Sequence, residues 1–398
     1  MKTNHLIALL AIAGLLLAGC SGTTTTSSTT PSETTTHPNT PVAPPPPPPA
    51  PSTNPYPIPS SQTSITGSGA TFPKPIIDAW AIGFNQEHSS VQVGYNGGGS
   101  GKGRADITAK LVQFAGSDAP MSATEKANAP GILHFPDTIG PVAVVYNVDG
   151  LPNGVHLTVD VVGQIFAGNI GKWDDNAIKT LNPDVASLLP SATIGIVYRS
   201  DSSGTTFAFT DALAKMSPAF ANKVSPSASS KPDWTGKSTA YQVGGQAGND
   251  GVGSTVKSTS NSIGYVDLAY VQKLSLKAAT LQNSKGQWVG PTAEGASKAA
   301  EAAADSLPAP DGDWSAVSIV NSPADGAYPI SSFSYILVYS SLASYGGKAT
   351  ADQLNGLKAW LYWDLHDGQV DYPQALGYAP LPAKVVAIGD RALSMITV

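Results

Sequence analysis

Tyr198-Arg199-Ser200-Asp201-Ser202-Ser203-Gly204-Thr205-Thr206-Phe207 lies between a β-like apolar run at 194–198 and a helix-like run at 207–216. It joins a permanently charged arginine, an acid able to hold it, and Ser-Gly-Thr at a helix start. Helix starts carry unpaired N–H groups and the positive end of the dipole, so they favour an anion. The guanidinium adds a planar fork suited to an oxyanion.

Three further stretches repeat the design of glycine and hydroxyl residues at a turn. They are Thr66-Gly67-Ser68-Gly69-Ala70-Thr71-Phe72-Pro73 before a helical run at 75–86, and Tyr95-Asn96-Gly97-Gly98-Gly99-Ser100-Gly101-Lys102-Gly103 before 107–112. The last is Phe114-Ala115-Gly116-Ser117-Asp118-Ala119-Pro120, which sets an acid at the end of a short strand. Glycine lets backbone curl closely around a ligand. Each stretch alone reads as a turn with a helix cap; four in succession point to an anion site.

Around them, β-like runs at 92–95, 141–148, 193–198 and 334–339 alternate with helical runs at 75–86, 159–167, 207–216, 293–304 and 351–363. That alternation predicts an α/β fold. Thr158 and the Asp174-Asp175 pair read as helix caps, and Trp173 as packing.

The chain has 398 residues, and the first twenty read as a secretion signal. Lys2 precedes an apolar run at 6–17, too short to span a bilayer, and Leu17-Ala18-Gly19-Cys20 closes it. The sequence resembles a lipobox, and Cys20, the only cysteine, stands where lipid attachment needs it. Residues 21–61 are rich in Thr, Ser and Pro, with six consecutive prolines at 44–49. They predict an unfolded tether, on the order of 120 Å if fully extended.

Residues 62–398 are long enough for two ordinary domains. With 22 basic and 28 acidic residues the net charge is −6, which argues against a nucleic-acid partner. The histidines of this part, His88, His134, His156 and His366, sit in no motif with a serine nucleophile. Nor does any His/Asp cluster have metal-ligand spacing. The reading is therefore of a binding protein, without enzymatic activity, cofactor or metal.

The stretches at 66–73, Gly99-Ser100, 116–120, Lys172-Trp173-Asp174-Asp175 and 199–205 together resemble the high-affinity phosphate-binding proteins of ABC transporters. Gly248-Asn249-Asp250-Gly251-Val252 and Ser262-Ile263-Gly264-Tyr265-Val266 extend the resemblance, which runs in order from about residue 65 to the C-terminus. It implies a two-lobe, periplasmic-binding-protein-like (type II) α/β fold with hinge strands and a ligand cleft between the lobes. Lobe I would be residues 62–143 and 330–398, lobe II residues 144–329, with hinges near 141–146 and 328–332.

The resemblance carries the phosphate contacts onto Thr71, Phe72, Ser100, Asp118, Arg199, Ser203, Gly204 and Thr205, with Asp201 orienting the arginine. It implies a monomeric receptor outside the cytoplasm, anchored through Cys20 to a bacterial membrane, that delivers inorganic phosphate to an ABC permease. Lys102 departs from the family pattern and is expected to face solvent. The alternatives are a binding protein for phosphonate, sulfate or molybdate, an adhesin or sensor, and a phosphoesterase.

Overall fold

The computed structural model describes residues 53–234 and 242–398. Cys20, the signal segment and residues 21–52 of the tether lie outside the described residues.

The chain begins with three βα steps: β1 (Thr63–Gly69), α1 (Lys74–Glu87), β2 (Val91–Gly97), α2 (Ser100–Thr108), β3 (Phe114–Ser117) and α3 (Ala123–Asn128). The 16-residue β4 (Ile132–Asn147) follows, then β5 (His156–Thr158), α4 (Val159–Phe166), α5 (Asn176–Leu181), β6 (Gly195–Arg199), α6 (Gly204–Met216) and α7 (Pro218–Lys223). Next come β7 (Gln242–Gln246), α8 (Gly248–Ser258), β8 (Ser262–Asp267), α9 (Leu268–Leu274), β9 (Lys277–Ala278), β10 (Thr280–Gln282), β11 (Trp288–Val289) and α10 (Ala293–Ala303). The chain closes with β12 (Ser331–Tyr339), α11 (Ala351–Leu365), α12 (Tyr372–Ala375) and α13 (Ala383–Met395). The β-like and helical runs read from the sequence all fall within these elements or differ by a few residues at their ends.

The strands form one sheet in the order β2-β1-β3-β12-β4-β8-β6-β7, with β9 against β4, and a small sheet β11-β10-β5. The β2, β1 and β3 group is parallel, and so is the β8, β6 and β7 group. Between them run β12 and β4, paired antiparallel. β4 serves both halves: Ile132 to Pro141 pair with β12, and Val142 to Asn147 pair with β8. The change of partner falls where the Val142 N–H donates to Ile330 O at 2.7 Å.

One hydrophobic core runs through both halves and holds aromatic pairs in each. Phe114 packs on Trp360 at 4.7 Å between ring centres, and Phe209 stacks on Tyr265 at 4.1 Å. Trp173 is fully buried, as a packing residue should be, and its indole N–H bonds Asn261 O. Thr158 and Asp175 cap α4 and α5 through Val161 N–H and Ala177 N–H.

One helix begins earlier than the sequence suggests. α2 starts at Ser100 and runs through Gly101 and Gly103, ahead of the apolar 107–112 run. Glycine is a poor helix former, yet a Cβ at Gly103 would stand 2.6 Å from Gly116 O and 2.8 Å from Gly69 Cα. The residue lets α2 lie directly on the strand ends. Lys102 is half-exposed and pairs with Asp106.

Residues 53–61, grouped with the tether by composition, lie against α11. Asn54 donates to Ala359 O at 2.8 Å, the Tyr56 ring meets the edge of Tyr362, and Lys358 Nζ stands 4.6 Å from the Tyr56 ring centre. Ser61 Oγ bonds Asp352. Tyr56 and Ile58 supply the apolar contact that Thr and Ser cannot.

Candidate functional site

The carboxyl ends of five strands, three from one parallel group and two from the other, open toward one place. β1 leads to Thr71 and Phe72, β2 to Ser100, β3 to Asp118, β6 to Arg199 and α6, and β7 to α8. Ligands of open α/β sheets sit outside these ends, where crossovers reverse direction. Ser100, Asp118, Arg199, Ser203, Gly204 and Thr205 are all buried, and Thr71 is half-buried.

Ser100 Oγ ties the two parallel groups together. It accepts the Asp118 N–H at 3.1 Å and the Gly204 N–H at 3.0 Å. The Gly101 N–H donates to Ser202 O at 2.9 Å. The approach is so close that a Cβ on Gly204 would lie 2.5 Å from Asp118 Cβ and 2.6 Å from Ser100 Oγ. Only glycine permits this contact. Ser203 caps α6 by accepting the Thr206 N–H.

Arg199 is held from two sides. Its Nε and Nη2 form a fork on Asp201, at 2.7 and 2.5 Å, while Nη1 donates to Asn249 Oδ1 at 3.0 Å and faces Thr205 Oγ1. Partial burial alone would raise the Asp201 carboxyl, but the guanidinium more than offsets this and holds it below its ordinary value. The fork leaves Asp201 as an orienting partner.

Asp118, unlike Asp201, carries no guanidinium fork. Its Oδ1 accepts the Ser334 hydroxyl at 3.0 Å. Burial pushes its pKa up to about 7, against the pull of Ser334, Arg199 and Arg104. Phe72 is fully buried, its ring beside Tyr378 and its carbonyl accepting the Tyr378 hydroxyl at 2.6 Å. Thr71 Oγ1 accepts the Asn249 N–H at 3.1 Å.

The residues onto which the resemblance carries the phosphate contacts, Thr71, Phe72, Ser100, Asp118, Arg199, Ser203, Gly204 and Thr205, with Asp201, thus lie in this one region. The sequence reading gave no role to Asn249, Asp267 or Ser334. Asn249 bridges Arg199, Thr205 and Asp267, and its amide reaches the last at 2.6 Å. It stands in the 248–252 stretch that carries part of the resemblance, at the start of α8, and that position was the available signal. Ser334 sits in an unremarkable strand and had none.

The starts of α2 and α6, their hydroxyls and the Arg199 guanidinium therefore gather near the Asp118 carboxyl, with α8 joined to them through Asn249. This set can replace the hydration of a small oxyanion with little net charge. Among the described residues, no group of three or more His, Cys, Asp or Glu side chains is placed to share a metal ion.

A family model described as a PBP superfamily domain matches residues 46–365. The phosphate-binding protein PstS of Methanocaldococcus jannaschii is 36% identical over 353 residues, covering 87% of this chain and 89% of its own. The PstS of Haemophilus influenzae is 36% identical, covering 81% of this chain and 90% of its own.

Among solved structures, the high-affinity periplasmic phosphate-binding protein PfluDING, bound with phosphate, aligns with TM-score 0.64 at 23% identity. That alignment covers 81% of this chain and 92% of the other. A phosphate-binding protein from Stenotrophomonas maltophilia aligns at 0.60 with 20% identity, covering 82% and 93%. At such identities the structures speak for the two-sided α/β fold; the sequence relatives speak for the family. The chain belongs to the PstS family of phosphate-binding proteins.

Proposed function

We propose that this protein is an extracytoplasmic receptor that binds inorganic phosphate between its two parallel strand groups and hands it to an ABC permease. Asp118 is the observation that carries the reading. A buried carboxylate beside an anion repels it unless the anion brings a hydrogen to donate. Both common forms of phosphate at neutral pH carry one and sulfate carries none, so Asp118 supplies the repulsive element that selectivity requires.

In this reading Arg199 is the charged clamp, and the Thr71, Ser100 and Thr205 hydroxyls serve with the amides of Phe72, Ser100 and Thr205. The amides of Ser203 and Gly204, expected from the sequence to serve too, are instead held by Ser230 O and Ser100 Oγ and shape the start of α6. Asp201 and Asn249 orient Arg199. Lobe I would comprise residues 62–143 and 330–398 and lobe II residues 144–329, a division that the partner change within β4 beside Ile330 supports. Lipid on Cys20 and the Pro/Thr tether hold the monomeric receptor at a membrane.

Calorimetric titration of wild type and Asp118→Ala with phosphate and with sulfate tests the assignment. Wild type should take phosphate and refuse sulfate, and Asp118→Ala should narrow the gap. Unchanged selectivity in the variant would count against this role for Asp118.

A further inference from the structure

Behind Asp118 lies a second buried carboxyl to which the phosphate reading gives no task. β12 pairs with β4 so that Ser334 faces Thr138 and Tyr335 faces Pro136, which leaves Asp137 as the extra residue of a β-bulge. Bulges re-aim side chains. Here the Asp137 side chain is buried, and neither carboxyl oxygen has a hydrogen-bond partner among the described residues. Ser334 occupies the strand between those leading to the two acids, since β12 lies between β3 and β4.

A hydroxyl has one hydrogen. Ser334 gives its hydrogen to Asp118 Oδ1, and its pairing with Thr138 sets it beside the bulge that carries Asp137. Two buried acids therefore flank one hydroxyl.

We propose that Asp137 and Ser334 are positioning residues of the anion site, and that the charge state of Asp137, transmitted through the Ser334 hydroxyl, governs how firmly Asp118 keeps its own charge. The proposal rests on the phosphate reading above and extends it to the regulation of that site.

While Asp137 is neutral, its O–H can donate to Ser334 Oγ as Ser334 donates to Asp118. Both hydrogen bonds then point toward Asp118 and stabilise its carboxylate as an acceptor for a hydrogen-bearing anion. When Asp137 releases its proton to water, it competes for the Ser334 hydrogen and sets a negative charge behind Asp118. Both changes raise the proton affinity of Asp118 and oppose an anion.

The surroundings permit this coupling. Burial raises Asp137 well above its ordinary value, and the Asp118 charge adds to that. From α11, Asp364 faces Asp137 and is itself raised, chiefly by burial. Asp267, raised in the same way, faces Asp118 and is tied to Asn249. Arg199 and Arg104 are the cations acting on Asp118. The phenols of Tyr95, Tyr335 and Tyr378 face both acids, and burial raises all three, so they stay neutral.

The test is calorimetry on the full chain with inorganic phosphate and with sulfate, from about pH 5.5 to about pH 9, for wild type, Asp137→Asn and Ser334→Ala. The ratio of wild-type to Asp137→Asn Kd for phosphate should rise about tenfold toward the alkaline end, because the amide cannot ionise. Ser334→Ala removes a bond that favours the ionised Asp118. Its discrimination against sulfate should therefore be lost about one pH unit higher than in wild type.

Ser334→Thr keeps the hydroxyl and should restore the wild-type profile; a displaced profile in that variant would indicate packing alone. If Ser334→Ala does not fold, the near-isosteric Asp137→Asn decides by itself. Profiles that superimpose while wild type still prefers phosphate overturn the relay and spare the receptor reading. A wild-type chain that does not bind phosphate overturns both.

Discussion

Replacing Gly204 by alanine tests whether the site is built by close approach of the two strand groups. The added methyl would stand 2.5 Å from Asp118 Cβ and 2.7 Å from Asp118 Cα. Carbon atoms rest about 3.5–4.0 Å apart, so the groups must separate by about 1 Å or more. The 3.0 Å bond from the Gly204 N–H to Ser100 Oγ would then open to about 4 Å, which is no longer a bond. A buried donor left unmade costs about 1–3 kcal/mol, a loss of about 5- to 150-fold in phosphate affinity. Calorimetry gives the affinity, and small-angle scattering with and without phosphate gives the compaction. Wild-type affinity together with wild-type compaction in Gly204→Ala would refute the argument.

Arg199→Ala should weaken phosphate binding by about 2–5 kcal/mol, because it removes a buried charge held by Asp201 and Asn249; wild-type affinity would place the anion elsewhere. Sulfate binding to wild type should improve as pH falls through about 7, where Asp118 takes up a proton and becomes a donor. Sulfate affinity independent of pH in wild type contradicts that. Asp364 is buried with both oxygens unpaired, and burial, aided by the Asp137 charge, raises its pKa. The unfolded chain ionises above 3.8 while the folded one does not, so stability falls as pH rises from that value toward the folded pKa. Asp364→Asn should thus raise Tm more at about pH 8 than at about pH 5, and equal gains would show that Asp364 is ionised in the fold.

The anion loops were legible because their chemistry is local. Ser-Gly-Thr before an apolar helical run marks a capped helix start wherever it folds, and Arg199 and Asp201 are two residues apart. Asp118 stood out as an acid closing a short strand. The remainder depends on partners far along the chain. Ser334 meets Asp118 across 216 residues, through a pairing of β12 with β3 that no local pattern announces. Asp137 lay ahead of the β-like run read at 141–148, and a bulge has no sequence mark of its own. The start of α2 was hidden because Gly101 and Gly103 look like loop; the close approach of Ser202 to Gly101, and of the Gly69 and Gly116 backbone to Gly103, explains why a helix keeps them. The contact of Asn54 and Tyr56 with α11 was masked by the proline-rich composition around them.

The double duty of β4 bears on how the molecule comes apart. One strand of 16 residues, bulged once at Asp137, pairs with each set of neighbours, so neither can melt without fraying the other. Heating residues 53–398 should accordingly give one calorimetric peak, with van't Hoff and calorimetric enthalpies in agreement. Were the proposed hinge to act, backbone torsion near Pro141 would swing one set of loops against the other while the ladder bonds on either side keep their register.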